Sequence, residues 1–176
     1  YDKMEFDETS FENVGRSLHG GLESSLEMDA GAWHDALEGW ELGLGYTYTY
    51  TQILNGPARG NEVPWAPAHS FWIESSYGLT LADGAVDNAQ VDVAADFWWE
   101  SAYYTDRQNR VQADGRGATG LVPANYVINA FASWIGAIEP SLVMEARLGI
   151  QNLLDRRYYE RTDDRNAGLL VGRPLT

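Results

Sequence analysis

The sequence predicts an all-β chain, an antiparallel, up-and-down run of strands that forms one arc of a transmembrane β-barrel. Three observations predict it. Apolar and polar residues alternate with period two over much of the chain. Aromatic residues collect on the apolar faces of the alternating segments. The connections between segments alternate between shorter and longer.

The alternation is clearest at residues 41–51. Leu42, Leu44, Tyr46, Tyr48 and Tyr50 share one face; Glu41, Gly43, Gly45, Thr47, Thr49 and Thr51 share the other. A helix would scatter these residues round its circumference, so the segment is a strand. Three Tyr at one end of the apolar face resemble an interfacial aromatic girdle. A cross-strand Tyr ladder in a soluble sheet is the alternative.

The other elements follow the same rule. At residues 16–28, Leu18, Gly20, Leu22, Leu26 and Met28 oppose Ser17, His19, Gly21, Glu23, Ser25 and Glu27. At 91–103, Val91, Val93, Ala95, Phe97, Trp99 and Tyr103 oppose Asp92, Ala94, Asp96, Trp98 and Glu100. At 143–152, Met144, Ala146, Leu148 and Ile150 oppose Glu145, Arg147, Gly149 and Gln151. Less regular strands are expected at 1–7, 69–78 and 126–134. Several of the seven approach the ~9–11 residues that cross a bilayer at a tilt.

Composition agrees. Hydrophobic residues make up 44% of the chain, yet the mean hydropathy is −0.36, so apolar and polar residues are interleaved. No run of about 18 apolar residues exists, which excludes a transmembrane helix and leaves the barrel route open. A soluble β-sandwich that binds carbohydrate through its aromatics produces similar alternation. Loop lengths separate the two. Residues 52–68, 104–125 and 155–171 are the longer connections, and in an up-and-down array all fall at one end. Outer-membrane barrels have this asymmetry, with short periplasmic turns and long extracellular loops. Seven strands and the start of another at 172–176 do not close a barrel. The expectation is a single partial barrel domain over residues 1–176.

Charge and chemistry narrow the function. The net charge of −14 argues against nucleic acid as a partner. The absence of Cys excludes disulfides and thiolate chemistry. His19, His34 and His69 lack metal-ligand spacing, and no metal site or cofactor is expected. Pairs such as Glu23/Glu27 and Asp92/Asp96 sit on strands, where a hydrated lumen wall explains them better than two-carboxylate hydrolysis. Gly115-Arg116-Gly117 has no strand-to-helix setting and is not a phosphate loop. No catalytic constellation emerges, so the chain is not read as an enzyme.

Arginine is distributed unevenly. Arg107, Arg110 and Arg116 lie in one long connection; Arg156, Arg157, Arg161, Arg165 and Arg173 lie in or beside another. Arg holds carboxylates through a planar fork, so the clusters suit an electrostatic funnel for an anionic ligand. Pairing with Asp106, Asp114, Asp155, Glu160, Asp163 and Asp164, or contact with lipopolysaccharide phosphates, is the alternative.

Four motifs then carry a family resemblance. Gln151-Asn152-Leu153-Leu154-Asp155-Arg156-Arg157-Tyr158-Tyr159 resembles the Asn-Leu-Phe-Asp…Tyr-Tyr signature near the C-terminus of TonB-dependent outer-membrane receptors. Gly172-Arg173-Pro174-Leu175-Thr176 is similar to their Gly-x-Pro-Arg-Thr. Asn13-Val14-Gly15-Arg16 with Gly21-Leu22-Glu23 resembles the family's Asn-x-Gly…Gly-x-Glu strand, and Val63-Pro64-Trp65-Ala66-Pro67-Ala68-His69 its Val-Pro-x-x-Pro-x-His loop exit. Leu154 and Leu175 depart from the usual Phe and Arg.

The resemblance implies a roughly 22-stranded barrel filled by a plug, in the outer membrane of a Gram-negative bacterium. It implies uptake energised by the TonB complex acting through the plug. The plug and the final strand are expected to lie outside residues 1–176. Outer-membrane lipids and lipopolysaccharide are implied partners. Within the family, Tyr104-Thr105-Asp106…Asn109, the stretch 114–126, and Asp163-Asp164-Arg165-Asn166-Ala167-Gly168 resemble loops of the ferric-citrate and siderophore receptors. The cargo so implied is a ferric siderophore or ferric citrate, with haem, cobalamin or a carbohydrate as alternatives in the same family. The resemblance implies that the 163–168 loop contacts the chelate, through Arg165 or Asn166. With Arg107, Arg110, Arg116 and Asn13, these are the candidate ligand contacts.

Overall fold

The computed structural model describes the backbone of residues 2–7, 10–81, 87–113, 119–139, 141–163 and 168–171, and the side chains of 15–81, 89–113, 119–139 and 141–159. The chain forms β1 (Asp2–Asp7), β2 (Ser10–Asp29), β3 (Trp40–Ile53), β4 (His69–Leu81), β5 (Asp87–Glu100), β6 (Tyr103–Tyr104), β7 (Leu121–Val122), β8 (Asn125–Glu139), β9 (Leu142–Ile150), β10 (Tyr159–Asp163) and β11 (Gly168–Val171). Seven strands make one antiparallel sheet in the order β1-β2-β3-β4-β5-β8-β9. The other four make two small ladders, β6–β7 and β10–β11. A sandwich needs two facing sheets; the described strands supply one large sheet, and the soluble-sandwich expectation fails on that point.

Each of the seven alternating segments falls in a strand of the large sheet, with four adjustments. β5 ends at Glu100, and Tyr103 starts a separate ladder with Val122. β9 ends at Ile150, because Asn152 takes a left-handed φ of 52° that breaks the ladder. β8 runs on to Glu139, which shrinks its turn to β9 to residues 140–141. β1 pairs only with residues 10–16 of β2, while residues 17–29 of β2 pair with β3. The start of a strand expected at 172–176 lies outside the described residues.

Register sorts the side chains onto two faces. One face carries Leu18, Leu22, Leu26 and Met28 of β2, then Trp40, Leu42, Leu44, Tyr46, Tyr48 and Tyr50 of β3. It continues through Phe71, Ile73, Tyr77 and Leu79 of β4, Val91, Val93, Phe97 and Trp99 of β5, Tyr126, Ile128 and Trp134 of β8, and Leu148 and Ile150 of β9. No Asp or Glu of the described wall strands stands among them. Leu22 is 62% and Leu148 69% exposed. A face this apolar and this uncovered is a lipid-facing one.

Aromatics mark its two borders. Tyr48, Tyr50, Phe71, Trp99 and Tyr126 stand toward the long-loop end; Trp40, Tyr77 and Trp134 stand toward the other. Trp40 and Tyr50 are separated by ten residues, or ~34 Å along the strand and ~24 Å at a 45° tilt, close to the ~25 Å apolar band of such barrels.

The opposite face is polar. Glu23, Glu27, Glu41, Glu74, Asp92, Asp96, Glu100, Glu145 and Arg147 all lie on it by register. Asn129 donates to Asp96 at 2.7 Å, Ser133 to Asp92 at 3.2 Å, and Asn125 to Glu100 at 3.0 Å. Arg147 pairs with Glu145. Within this wall Trp72 covers Gly43 and Gly45, taking the space that a Cβ at Gly45 would need.

Connections 30–39, 82–86 and 140–141 fall at one end of the array. Connections 54–68 and 101–124, and the segment after Ile150, fall at the other.

Candidate ligand-capture site

The long connections are built structures. Residues 54–68 double back along β3: Ile53 donates to Asn61 O, Gly60 to Ile53 O, and Val63 to the Thr51 hydroxyl. Residues 101–124 close on the β6–β7 ladder, where the Thr105 amide and hydroxyl both donate to Gly120 O at 3.0 Å. The loop after β9 likewise holds the β10–β11 ladder.

The first two loops are then stitched together. The Asn109 carboxamide accepts from Glu62 N at 2.7 Å and donates to Glu62 O at 3.1 Å. Asn61 donates to Arg107 O at 2.8 Å, and Trp65 N to Tyr104 O at 2.8 Å. The rings of Trp65 and Tyr103 lie 6.1 Å apart. Burial, with the Glu100 carboxylate beside it, pushes the Tyr103 phenol up to about 12, so it stays a neutral hydroxyl at any working pH. Trp65 and Asn109 both take left-handed φ, at 65° and 52°. The order of their neighbours does not disclose that.

The candidate residues separate on this scaffold. Arg110 meets Asp106 through Nε at 3.3 Å and is 55% exposed, so half of its fork stays open to a ligand. Asp106 is buried and also accepts from Gln108 N. The Arg107 guanidinium reaches across to Gly15 on β2, two residues along the strand from Asn13. The fold thus brings Arg107, Arg110 and the Asn13 strand position to one end of the wall. Arg116, Arg165 and Asn166 lie outside the described residues, as does the Asn13 side chain. Among the described residues no group of His, Asp and Glu could hold a metal ion. His34 caps a turn by accepting from Ala36 N, and His69 bonds the Tyr46 hydroxyl at 2.7 Å.

One cavity of about 470 Å³ opens on the polar face at this same end. Trp98, Glu100, Val127, Asn129, Asn152 and Tyr158 help line it. Its carboxylate and amides suit a ligand that donates hydrogen bonds. Sequence reasoning missed it, because its lining comes from three separate segments.

Asn152 organises the segment after β9. It is 1% exposed, its amide donates to Asn129 Oδ1, and its carboxamide brackets the peptide of Arg156, with both bonds at 2.9 Å. The Asn of the Asn-Leu-Leu-Asp motif is thus the peg that turns the chain off β9.

A family model described as TonB dependent receptor-like, beta-barrel, matches residues 2–153. The chain belongs to the TonB-dependent receptor family. Members of this family are proteins of the Gram-negative outer membrane. The chain is 26% identical over 139 residues to the probable TonB-dependent receptor BfrD of Bordetella pertussis, covering 77% of this chain. The ferric citrate transporter FecA in its unliganded form superposes with a TM-score of 0.76 at 25% identity over 97% of the chain. The siderophore receptor PiuA from Acinetobacter baumannii matches with a TM-score of 0.60 at 20% identity over 99% of the chain, a likeness of fold. The chain spans 17% of the length of BfrD, 25% of FecA and 22% of PiuA. In this arc of a TonB-dependent receptor barrel the stitched loops stand at the long-loop end, and the polar face is the lumen side of the wall.

Proposed function

We propose that the chain is the ligand-capturing arc of an outer-membrane receptor that imports an anionic ferric chelate, a siderophore or ferric citrate, with energy supplied through TonB. The likeness to FecA over nearly the whole chain, long loops included, is the observation that carries this reading. Its chemistry fits. A chelate that presents carboxylates meets guanidinium forks in bidentate geometry. Arg110 supplies one half-open fork, and Arg107, Arg116, Arg165, Asn166 and Asn13 are its proposed partners. Among the described residues that line the lumen cavity there is no Arg or Lys, so initial capture is assigned to the loops. The plug and the TonB contact are placed elsewhere in the full-length protein.

Uptake of radio-iron by cells that carry the full-length receptor tests this. Ferric citrate and ferric siderophores are offered, with haem, cobalamin and oligosaccharides as competitors. Iron import that requires both the receptor and TonB is expected, and Arg110→Gln should weaken chelate binding about ten-fold. Import of haem, cobalamin or a carbohydrate with no iron-chelate uptake would overturn the cargo.

A further inference from the structure

We infer that the rim formed by Tyr126 and Arg156 is a binding site for the phosphorylated head of lipid A in the outer leaflet. This goes beyond cargo uptake and rests only on the outer-membrane placement of the family.

Tyr126 stands on the lipid-facing side, directly opposite Trp99, with its ring 5.8 Å from that of Phe97. It is the outermost aromatic of β8. The Arg156 guanidinium lies 4.2 Å from the centre of that ring. A cation over an aromatic face gains about 0.5–2 kcal/mol. Here it also stands where acyl chains give way to headgroups.

The position is built. Asn152 holds the Arg156 peptide from both sides, and Leu153 N donates to Ile128 O, which ties the segment to β8. Among the described residues no carboxylate pairs with Arg156. Arg107 and Arg110 differ, since they sit within the loop assembly. Arg16 on β2 shares the parity of Leu18 and so faces the same side of the wall, and Asn55 accepts from its amide at 2.7 Å.

The lining selects the ligand. A planar fork favours a phosphate or carboxylate with paired oxygens. The adjoining Trp99, Phe97 and Tyr126 favour hydrocarbon. Lipid A is the outer-leaflet amphiphile that joins phosphate to acyl chains. Free phosphate would satisfy only the guanidinium.

The full-length receptor, delipidated in detergent, is titrated with bisphosphoryl lipid A, dephosphorylated lipid A and inorganic phosphate. Tight binding of the first alone is expected. Arg156→Gln should weaken it about five-fold and erase the preference for phosphate. Arg156→Lys, which keeps charge and loses the planar stack, should fall between. Where Arg156→Gln fails to fold, the wild-type receptor answers: bisphosphoryl lipid A, and not its dephosphorylated form, should protect Arg156 from phenylglyoxal. Unchanged affinity in folded Arg156→Gln, or equal modification with either lipid, would overturn the site. Inorganic phosphate that binds as tightly would make it a phosphate site with no lipid role. Iron uptake is read separately, so the two proposals fail independently.

Discussion

The indole of Trp72 lies over Gly45, directly across the β3–β4 ladder, in the space a side chain at that glycine would occupy. An aromatic laid over a strand glycine covers exposed backbone and pins the register. In a wall with water on this face, the pair supplies packing that the small neighbours Gly43 and Thr47 cannot.

Gly45→Val should therefore displace Trp72. A cost of about 1–3 kcal/mol is expected from overpacking, read as a lower midpoint in urea unfolding of the full-length receptor in detergent. Adding Trp72→Ala should recover part of that loss. A double variant no better than the single one would mean that the glycine matters for another reason.

The two faces respond differently to charge. Leu26→Arg, near the middle of the lipid face opposite Leu44, should cost about 2–4 kcal/mol. Thr47→Arg, on the lumen face opposite Glu23, should cost less than about 1 kcal/mol. Folding yield into lipid vesicles, followed by heat-modifiable gel mobility, separates them. Equal losses would contradict the assignment of faces.

Asn152→Ala removes both bonds to Arg156 and places Ala at a left-handed φ. About 2–4 kcal/mol of local stability should go. Asn152→Gly keeps the backbone at ease and should lose only the hydrogen-bond part. Hydrogen exchange at Leu153 and Asp155, whose amides donate to Ile128 O and Asn152 O, reports this directly.

Loop stitching is testable at Asn109. Asn109→Ala removes its two bonds to Glu62 and should cost about 1–3 kcal/mol of loop stability. Proteolysis within residues 54–68 and 101–124 should accelerate about ten-fold in the full-length receptor. Cleavage confined to one loop would show that the two are not coupled.

The architecture was legible because a wall strand between lipid and water must alternate. Leu42 to Tyr50 obey that rule residue by residue, and so do Val91 to Trp99. The same rule could not give β1 its register against residues 10–16 of β2. Nor could it foresee the ends of β5 and β9, where Tyr103 and Asn152 turn away through contacts with Val122 and Asn129.

The candidate site was less visible. Arginine clustering pointed to the long connections, but charge counting cannot tell a half-open fork from a tethered one. Arg110 retains exposure beside buried Asp106, while Arg156 rests on Tyr126, a residue thirty positions earlier. The linear order of residues determined the alternation, the two chemical faces, the girdles and the end at which the long loops gather. These follow from local geometry, since each side chain's face depends only on its parity along the strand. Which loops are stitched together, which guanidinium stays open and where the lumen cavity forms were decided by tertiary structure alone. Those features join segments far apart in the chain through backbone donors and left-handed turns, and parity along one strand carries no information about either.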